Sequence, residues 1–237
     1  MAHGDARAGD VRAGESTDGD GPVAAVSLDL FGTLVDADRP SDPAGAIATA
    51  LRDQGVSVSE DWETAYATPH LDHAPGVERP LHHHVAAALA GDDPDREPRA
   101  FVDDAAAAVR AAFDRPVETR PGATEAVAAL AAERPVGVLS NCSVPGLVEQ
   151  SLERSGLDPD ALDAVVASVA CGWRKPDPRA FEAVADGLGV SVGRLCHVGD
   201  DPATDGGIRD AGGRFVRADA DGVSLAELPA VVGRRWG

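Results

Sequence analysis

The second half of the chain alternates short apolar runs with amphipathic patterns, and this alternation limits the fold more than any other feature. Apolar runs at 135–141, 162–168, 193–200 and 214–218 predict strands. The segments 122–133, 144–156, 177–189 and 204–213 predict helices. An earlier run, VAAVSLDLF at 23–31, predicts one more buried strand. Strands that alternate with helices form a parallel sheet covered on both faces, so the sequence predicts an α/β fold.

The segment between the first strand and this alternating half has a different pattern. Helical patterns occur at 44–55, 59–67, 81–91 and 99–114, with Pro and Asp clusters between them. Residues 1–22 are rich in Gly, Asp and Ala without periodicity, which predicts a disordered acidic tail. We therefore expect a core made of 23–36 and 117–237, interrupted by a helical insert at 37–116.

Charge and composition exclude several classes of function. The 237 residues include 40 acidic and 21 basic side chains, a net charge of −19, which disfavours nucleic-acid binding. There is no apolar run of membrane-spanning length and no apolar N-terminal stretch, so we expect no membrane partner and a cytoplasmic location. Three cysteines without CxxC spacing fit a reducing compartment. The acidity, with only 4% aromatic residues, leads to the hypothesis of a halophilic protein.

One basic residue differs from all the others. Twenty of the 21 basic residues are arginine, and the single lysine is Lys175. An ammonium is compact, whereas a guanidinium is planar and larger. A lone lysine in such a chain indicates a position that needs the smaller group.

Polar side chains follow the predicted strands where ligands bind to parallel sheets, at the carboxyl ends. The residues concerned are Asp29, Ser140, Asn141, Lys175, Asp200, Asp201 and Asp205. Three of these carboxylates, at 29, 200 and 205, would repel one another without a cation, and Mg²⁺ suits oxygen ligands beside a phosphate. Ser140 and the loop after it offer donors to phosphate oxygens, and Lys175 offers a positive charge. Asp29 is then a candidate nucleophile.

Four segments that contain these residues resemble a known family. LDLFGTLVD (28–36), LSN (139–141), RKPDP (174–178) and HVGDDPATD (197–205) are similar, in order and spacing, to the four motifs of the haloacid dehalogenase-like (HAD) hydrolases. The resemblance implies a Rossmann-like three-layer parallel sheet core with an inserted α-helical cap of the C1 type. It also implies a hydrolase that uses Mg²⁺.

The same resemblance implies a role for each residue of the site. Asp29, Ser140 and Lys175 would be catalytic, and Ser140, Asn141 and Lys175 would bind the substrate phosphate. The metal would be held by Asp29, Asp200, the backbone carbonyl of Phe31 and the carboxylate of Asp205. In this scheme Asp205 would orient a metal-bound water or Lys175.

Phe31 departs from the family pattern. Phosphatases of this family have a second Asp two residues after the nucleophile, where it protonates the leaving group and activates water, and acid–base catalysis of this kind contributes roughly 10²–10⁴-fold in rate. Dehalogenases lack this acid, because a halide leaves without a proton. The carboxylates at 200, 201 and 205 favour the phosphatase, since dehalogenases need no metal. We therefore expect a phosphatase that prefers substrates whose leaving groups depart easily, or one in which a residue of the insert serves as the general acid.

The insert contains five of the seven histidines, at 70, 73, 82, 83 and 84. They could be solvated surface residues, a substrate contact or surrogate acid, or a metal site. His197 is expected to pack within its strand.

Three functions follow, in order of preference: a phosphatase of a small phosphorylated metabolite, a 2-haloacid dehalogenase, or a catalytically weakened binding or regulatory protein. The expected partner is a small molecule, and the protein is expected to be a monomer or homodimer.

Overall fold

The computed structural model describes residues 21–71, 74–91, 95–219 and 221–236. The strands of this part of the chain are β1 (Ala25–Leu28), β2 (Val35–Ala37), β3 (Val117–Thr119), β4 (Val136–Ser140), β5 (Ala164–Ala167), β6 (Leu195–Gly199) and β7 (Arg214–Arg217). Its helices are α1 (Pro43–Asp53), α2 (Trp62–Ala67), α3 (Leu81–Ala90), α4 (Val102–Phe113), α5 (Ala123–Ala131), α6 (Leu147–Arg154), α7 (Ser168–Cys171), α8 (Pro178–Gly187) and α9 (Leu228–Trp236). Short 3-10 helices lie at 98–101, 159–161, 192–194, 205–209 and 225–227.

Five strands form a parallel sheet in the order β5-β4-β1-β6-β7. The central strand β1 pairs with β4 on one side and β6 on the other, both in parallel register. The chain runs outward from β1 through β4 to β5 and then crosses to β6 and β7. Such a reversal of direction opens a crevice at the carboxyl ends of the central strands. The predicted α/β sheet is confirmed.

Helices cover both faces of the sheet, because successive residues of each strand point to opposite sides. Val26 and Val138 pack into one hydrophobic cluster, and Ala25 and Leu139 pack into a second. Helices α5 and α9 contribute to the first cluster, and α8 contributes Phe181 to the second. The layers are therefore helix, sheet and helix.

The helical insert, which we define as residues 38–116 with α1–α4, leaves and rejoins the core through one antiparallel ribbon. In this ribbon β2 pairs with β3, with Val35 opposite Thr119 and Ala37 opposite Val117. Inside the insert, α4 packs against α1 and α3. Helix α1 begins at Pro43 after Asp42, whose carboxylate accepts a hydrogen bond from the Gly45 N–H.

One loop of the insert is hydrogen-bonded to the core. The backbone of residues 76–81 bonds to Gly172, Arg174 and Ser143 at N···O distances of 2.8–2.9 Å. The buried carboxylate of Glu78 also accepts a 2.7 Å hydrogen bond from the Ser168 hydroxyl at the start of α7. These bonds hold the insert against the carboxyl edge of the sheet.

Several sequence predictions need correction. The helix predicted at 204–213 is only a 3-10 helix, Asp205–Arg209. Gly pairs at 206–207 and 212–213 lower its helix propensity, and a Cβ at Gly207 would lie 2.5 Å from the Cβ of Pro176. The ribbon β2–β3 and helix α9 were not predicted. The region 99–114 begins with a 3-10 turn before α4. Helix α1 begins one residue earlier than predicted, and the other predicted elements begin and end within three residues of the predicted bounds.

The predicted disordered tail lies almost entirely outside the described residues, which begin at Gly21. The Gly21 carbonyl accepts a 2.6 Å hydrogen bond from Arg214, and the Pro22 carbonyl accepts one from Arg194. Across the described ranges, no helix has both the length and the apolar character needed to cross a bilayer.

Candidate active site

Lys175 lies at the centre of the cluster of polar groups at the carboxyl edge. Its ammonium donates to Asp29 Oδ1 at 2.6 Å, to Asp205 Oδ1 at 2.7 Å and to the Leu139 carbonyl at 2.9 Å. Only 2% of the residue is exposed. An ammonium has three N–H donors, and all three are used. The single lysine is thus a buried charge between two carboxylates, as its isolation in the sequence indicated.

Asp205 is held from three directions. Its Oδ1 accepts from Lys175 and lies 3.1 Å from His197 Nε2, and its Oδ2 accepts from the Asp201 N–H at 3.1 Å. His197 Nδ1 lies 2.8 Å from the Ser27 hydroxyl. Both carboxylate oxygens of Asp205 are therefore occupied, and the side chain positions Lys175, one of the two roles expected for it.

The pKa values follow from burial and from these contacts. Burial lowers the pKa of His197 to about 4 despite its bond to Asp205, so the ring is neutral and its Nε2–H donates to that carboxylate. Burial alone would raise the pKa of Asp205, but the hydrogen bond from His197 and the charge of Lys175 hold it at about 2. His197 was expected to be a packing residue; it contacts Phe181 edge-on at 5.3 Å and also binds Asp205.

The pKa of Asp29 is shifted in the opposite direction, upward. Burial raises its pKa to about 6 although Lys175 opposes the change, and the nearby carboxylates of Asp205 and Asp200 raise it further. Asp29 Oδ1 is bound to Lys175, and no described residue donates a hydrogen bond to Oδ2. This oxygen is left for a cation or a substrate.

Asp200 completes a group of three carboxylates that can hold a metal ion. One oxygen each from Asp29, Asp200 and Asp205 lie within 4.8 Å of one another. Thr33 donates a 2.9 Å hydrogen bond to Asp200 Oδ1, which leaves Oδ2 for a ligand. Gly32 lies against this carboxylate: it has a φ of +90°, and a Cβ there would be 2.9 Å from Asp200 Oδ2.

Ser140 ends β4 beside this cluster, and Asn141 follows it. The Ser140 side chain is buried, and none of the described residues hydrogen-bonds to its hydroxyl. The Asn141 side chain forms two hydrogen bonds with the backbone of Lys175. Its Oδ1 accepts from the Lys175 N–H at 2.8 Å, and its Nδ2 donates to the Lys175 carbonyl at 2.9 Å. The Asn141 amide thereby positions Lys175, and the second N–H of Nδ2 has no partner among the described residues.

Phe31 lies at the boundary between the cluster and a cavity under the insert. The cavity has a volume of about 170 Å³ and is lined by Phe31, Asn141 and residues of both the insert and the core. The Phe31 ring is half-buried and packs against the hydrophobic core. At this position a leaving group would contact an aromatic ring and no acid.

Two histidines of the insert form hydrogen bonds within the insert. His70 Nε2 and His84 Nε2 each lie 2.7 Å from a backbone carbonyl of α2, at Ala65 and Tyr66. The His82 and His83 rings contact one another, with centroids 4.5 Å apart. Within the described ranges, the one group of metal-ligating side chains is the Asp cluster. His73 lies outside the described residues.

A family model that matches most of the chain identifies the family. The model of the haloacid dehalogenase-like hydrolases matches residues 23–212. The chain belongs to this family. A HAD hydrolase usually uses a divalent metal, and the Asp cluster of this chain can bind one. The predicted family and the predicted hydrolase class are confirmed.

Relatives of this HAD hydrolase include proteins of both expected activities. It is 38% identical over 87 residues to a phosphatase from Mycobacterium tuberculosis (strain CDC 1551 / Oshkosh), a match that covers 37% of this chain and 40% of the relative. The structure of a 2-haloacid dehalogenase from Pseudomonas syringae pv. Tomato DC3000 matches with a TM-score of 0.64 and 24% identity, over 91% of this chain and 100% of that one.

A magnesium-bound structure is also among the similar folds. The HAD-hydrolase YfnB from Bacillus subtilis matches with a TM-score of 0.51 and 18% identity, over 90% of this chain and 99% of that one. At these identities the two structural matches establish the fold, which is the Rossmann-like α/β fold predicted from the motifs.

Proposed function

We propose that this HAD hydrolase is a Mg²⁺-dependent phosphatase that acts on a small phosphorylated metabolite, with Asp29 as the nucleophile. The observation that supports this most is the arrangement of Asp29. Lys175 holds its Oδ1 at 2.6 Å, which fixes the carboxylate, and its Oδ2 remains for attack. The short match to a phosphatase agrees with this proposal.

The carboxylates fit a magnesium ion. Mg²⁺ prefers oxygen ligands and usually keeps several waters, and the Asp29 carboxylate together with Asp200 Oδ2 would hold it. The raised pKa of Asp29 reflects crowding of negative charge, which a divalent cation would relieve. The Phe31 carbonyl is the third proposed ligand. When bound, Mg²⁺ neutralises charge on the phosphoryl oxygens.

The side chains of the cluster have separate tasks. Asp29 Oδ2 attacks phosphorus in line, the bond from phosphorus to the leaving oxygen breaks, and an aspartyl-phosphate forms. Ser140 and the backbone after it donate to the phosphoryl oxygens, and Lys175 offsets their charge. Asp205 keeps the ammonium of Lys175 in place. Water then attacks the phosphorus and the bond to Asp29 breaks, which regenerates the carboxylate.

Phe31 restricts the leaving group. Without an acid at this position, the leaving oxygen departs as an anion, so acyl, anomeric and aryl phosphates are the favoured substrates. We propose that helices α1–α4 act as the cap over the site. His70 and His84 are bonded to backbone carbonyls, which disfavours them as surrogate acids.

The test is release of phosphate from acetyl phosphate and 4-nitrophenyl phosphate in high salt, with and without Mg²⁺. We expect turnover that requires the metal and that is lost in Asp29→Asn. Absence of Mg²⁺-dependent turnover on these esters and on a panel of phosphorylated metabolites would refute the phosphatase and favour a binding or regulatory protein.

Phe31 specifically favours a second candidate, a 2-haloacid dehalogenase in which Asp29 attacks carbon. Halide release from 2-chloropropionate in EDTA would support it. The variant Phe31→Asp separates the two reactions: it should accelerate hydrolysis of alkyl phosphates if the site is a phosphatase, and an unchanged rate would argue against that.

The cellular location, the oligomeric state and the partners of the protein are also proposals. We propose a cytoplasmic enzyme that is a monomer or homodimer, with no membrane or nucleic-acid partner. The net charge of −19 supports the absence of nucleic acid, because its phosphates would be repelled.

A further inference from the structure

The cavity beside Phe31 has a cationic wall, although the chain as a whole is strongly acidic. We call it the arginine cavity, because Arg39, Arg115, Arg154 and Arg174 all line it. A single acidic residue, Asp38, is found among the described residues of the lining. The chain carries a net charge of −19, whereas the charged side chains that line this cavity are mostly positive.

The arginine cavity lies next to the proposed reaction centre. Three of its lining residues are sequence neighbours of the cluster: Phe31 is two positions after Asp29, Asn141 follows Ser140, and Arg174 precedes Lys175. A leaving group that extends from a phosphoryl on Asp29 past the Phe31 ring would enter this space.

Two of the four arginines already have carboxylate partners. Arg154 forms an ion pair with Asp114, and Arg174 Nε lies 3.9 Å from Glu78 Oε2. Arg39 and Arg115 differ, because no carboxylate of the described residues lies within ion-pair distance of either. Both residues are exposed and line the cavity, and Arg115 Nε donates a 3.2 Å hydrogen bond to the Ala112 carbonyl.

The two arginines lie on the two segments that lead from the ribbon into the insert. The last pair of β2 and β3 is Ala37 opposite Val117, and Arg39 and Arg115 each lie two residues beyond it. Both line the arginine cavity, so an anion bound there could pair with each of them.

We propose that the arginine cavity binds a second anionic group of the substrate, a carboxylate or a phosphate carried on the leaving group. This inference rests on the proposed phosphatase activity and names its substrate class: phosphorylated compounds with a second negative charge near the phosphoryl. Arg39 and Arg115 provide the charge that selects them. Guanidinium groups suit this task because they form paired hydrogen bonds with carboxylate and phosphate.

The test compares aryl phosphates that differ in the distal group alone. The esters are 4-carboxyphenyl phosphate, its neutral amide analogue 4-carbamoylphenyl phosphate, and 1,4-phenylene bisphosphate, at constant ionic strength with Mg²⁺. We expect kcat/KM for an anionic ester to exceed that of the neutral one about tenfold, the effect of one charge-assisted contact. Whichever anionic ester is preferred identifies carboxylate or phosphate.

The variants assign the preference to the cavity. In Arg39→Gln/Arg115→Gln we expect the ratio between anionic and neutral esters to fall to near one. The control Arg52→Gln/Arg99→Gln removes the same charge from exposed positions of α1 and the 98–101 turn, outside the cavity, and should keep the ratio. Thermal unfolding of each variant verifies that it is folded.

Failure of the inference and failure of the proposed function give different results. Mg²⁺-dependent hydrolysis of all esters at equal kcat/KM, or a preference that the control variant loses equally, overturns the inference and leaves the phosphatase intact. If no ester is hydrolysed, the phosphatase fails, and calorimetric titration of the same esters decides the inference. Tighter binding of an anionic ester that depends on Arg39 and Arg115 supports it, and equal binding overturns it.

Discussion

Replacing Lys175 with arginine keeps its charge and changes its shape, so it tests whether the cluster needs a compact ammonium. The Nζ atom has three acceptors at 2.6, 2.7 and 2.9 Å, and the side chain is 1% exposed. A planar, longer guanidinium cannot reach these acceptors without displacing them. Overpacking of a buried site costs about 1–3 kcal/mol, and loss of one oxyanion donor costs about 10²–10³ in kcat.

The variant Lys175→Met isolates the charge. It leaves Asp29 and Asp205 facing each other without the ammonium, and breaking a buried ion pair in this way costs about 3–5 kcal/mol. We therefore expect Lys175→Met to be less stable than Lys175→Arg, and Mg²⁺ to restore part of the difference because it would bind the Asp29 carboxylate that has lost its ammonium partner.

Urea unfolding and phosphate release from 4-nitrophenyl phosphate measure the two effects. The reciprocal exchange Arg52→Lys, at an exposed position of α1, is the matched control and should be neutral in both assays. We expect Lys175→Arg to lose at least about 10²-fold in kcat. If the variant instead kept more than about a tenth of the wild-type kcat, with unchanged stability, the requirement for a compact ammonium would be wrong.

Four more predictions follow from the site and the surface. Gly32→Ala should weaken Mg²⁺ binding at least about tenfold by calorimetry, because its Cβ would lie 2.9 Å from Asp200 Oδ2 at a φ of +90°; unaltered affinity would remove Asp200 as a ligand. Since the pKa of Asp29 in the folded metal-free protein is raised to about 6, its ionised form destabilises the fold above that pH. The free energy of unfolding of the wild type, relative to Asp29→Asn in EDTA, should thus rise by up to about 3 kcal/mol from pH 7 to pH 4, and Mg²⁺ should suppress the rise. Glu78→Gln should lower the melting temperature while Glu118→Gln, at an exposed position of β3, should not, because it is Glu78, and not Glu118, that accepts a hydrogen bond from the buried Ser168 hydroxyl; equal melting temperatures would contradict this. Finally, the melting temperature should increase between low and molar KCl, as screening weakens repulsion within a surface of net charge −19; a flat response would contradict the halophilic hypothesis.

The sequence was sufficient to predict that Asp29, Lys175, Asp200 and Asp205 lie together at the sheet edge. Asp29, Ser140 and Asp200 each follow a strong apolar run, and parallel strands bring their carboxyl ends together wherever the strands lie in the sheet. Lys175 was predicted as a further site residue because it is the single lysine beside 20 arginines. These predictions used local patterns, so they did not depend on knowing the tertiary contacts.

Other features depended on contacts between distant residues and were missed. The strands β2 and β3 have three residues each and pair across about 80 residues of chain, so neither has a recognisable period. The bond between His197 and Asp205 depends on how the 205–209 turn folds back. The arginine cavity takes its lining from separate segments of insert and core, which no single stretch of sequence indicates.

The ribbon that joins the insert to the sheet has an evolutionary consequence. Because Ala37 and Val117 are neighbours in space, the chain between them enters and returns at one point, and the length of such an excursion changes the entropy of loop closure only slowly. Segments of different size or sequence can be exchanged there while the five parallel strands keep their register. The protein can thereby acquire a new preference for its substrate without rebuilding the chemistry beneath it.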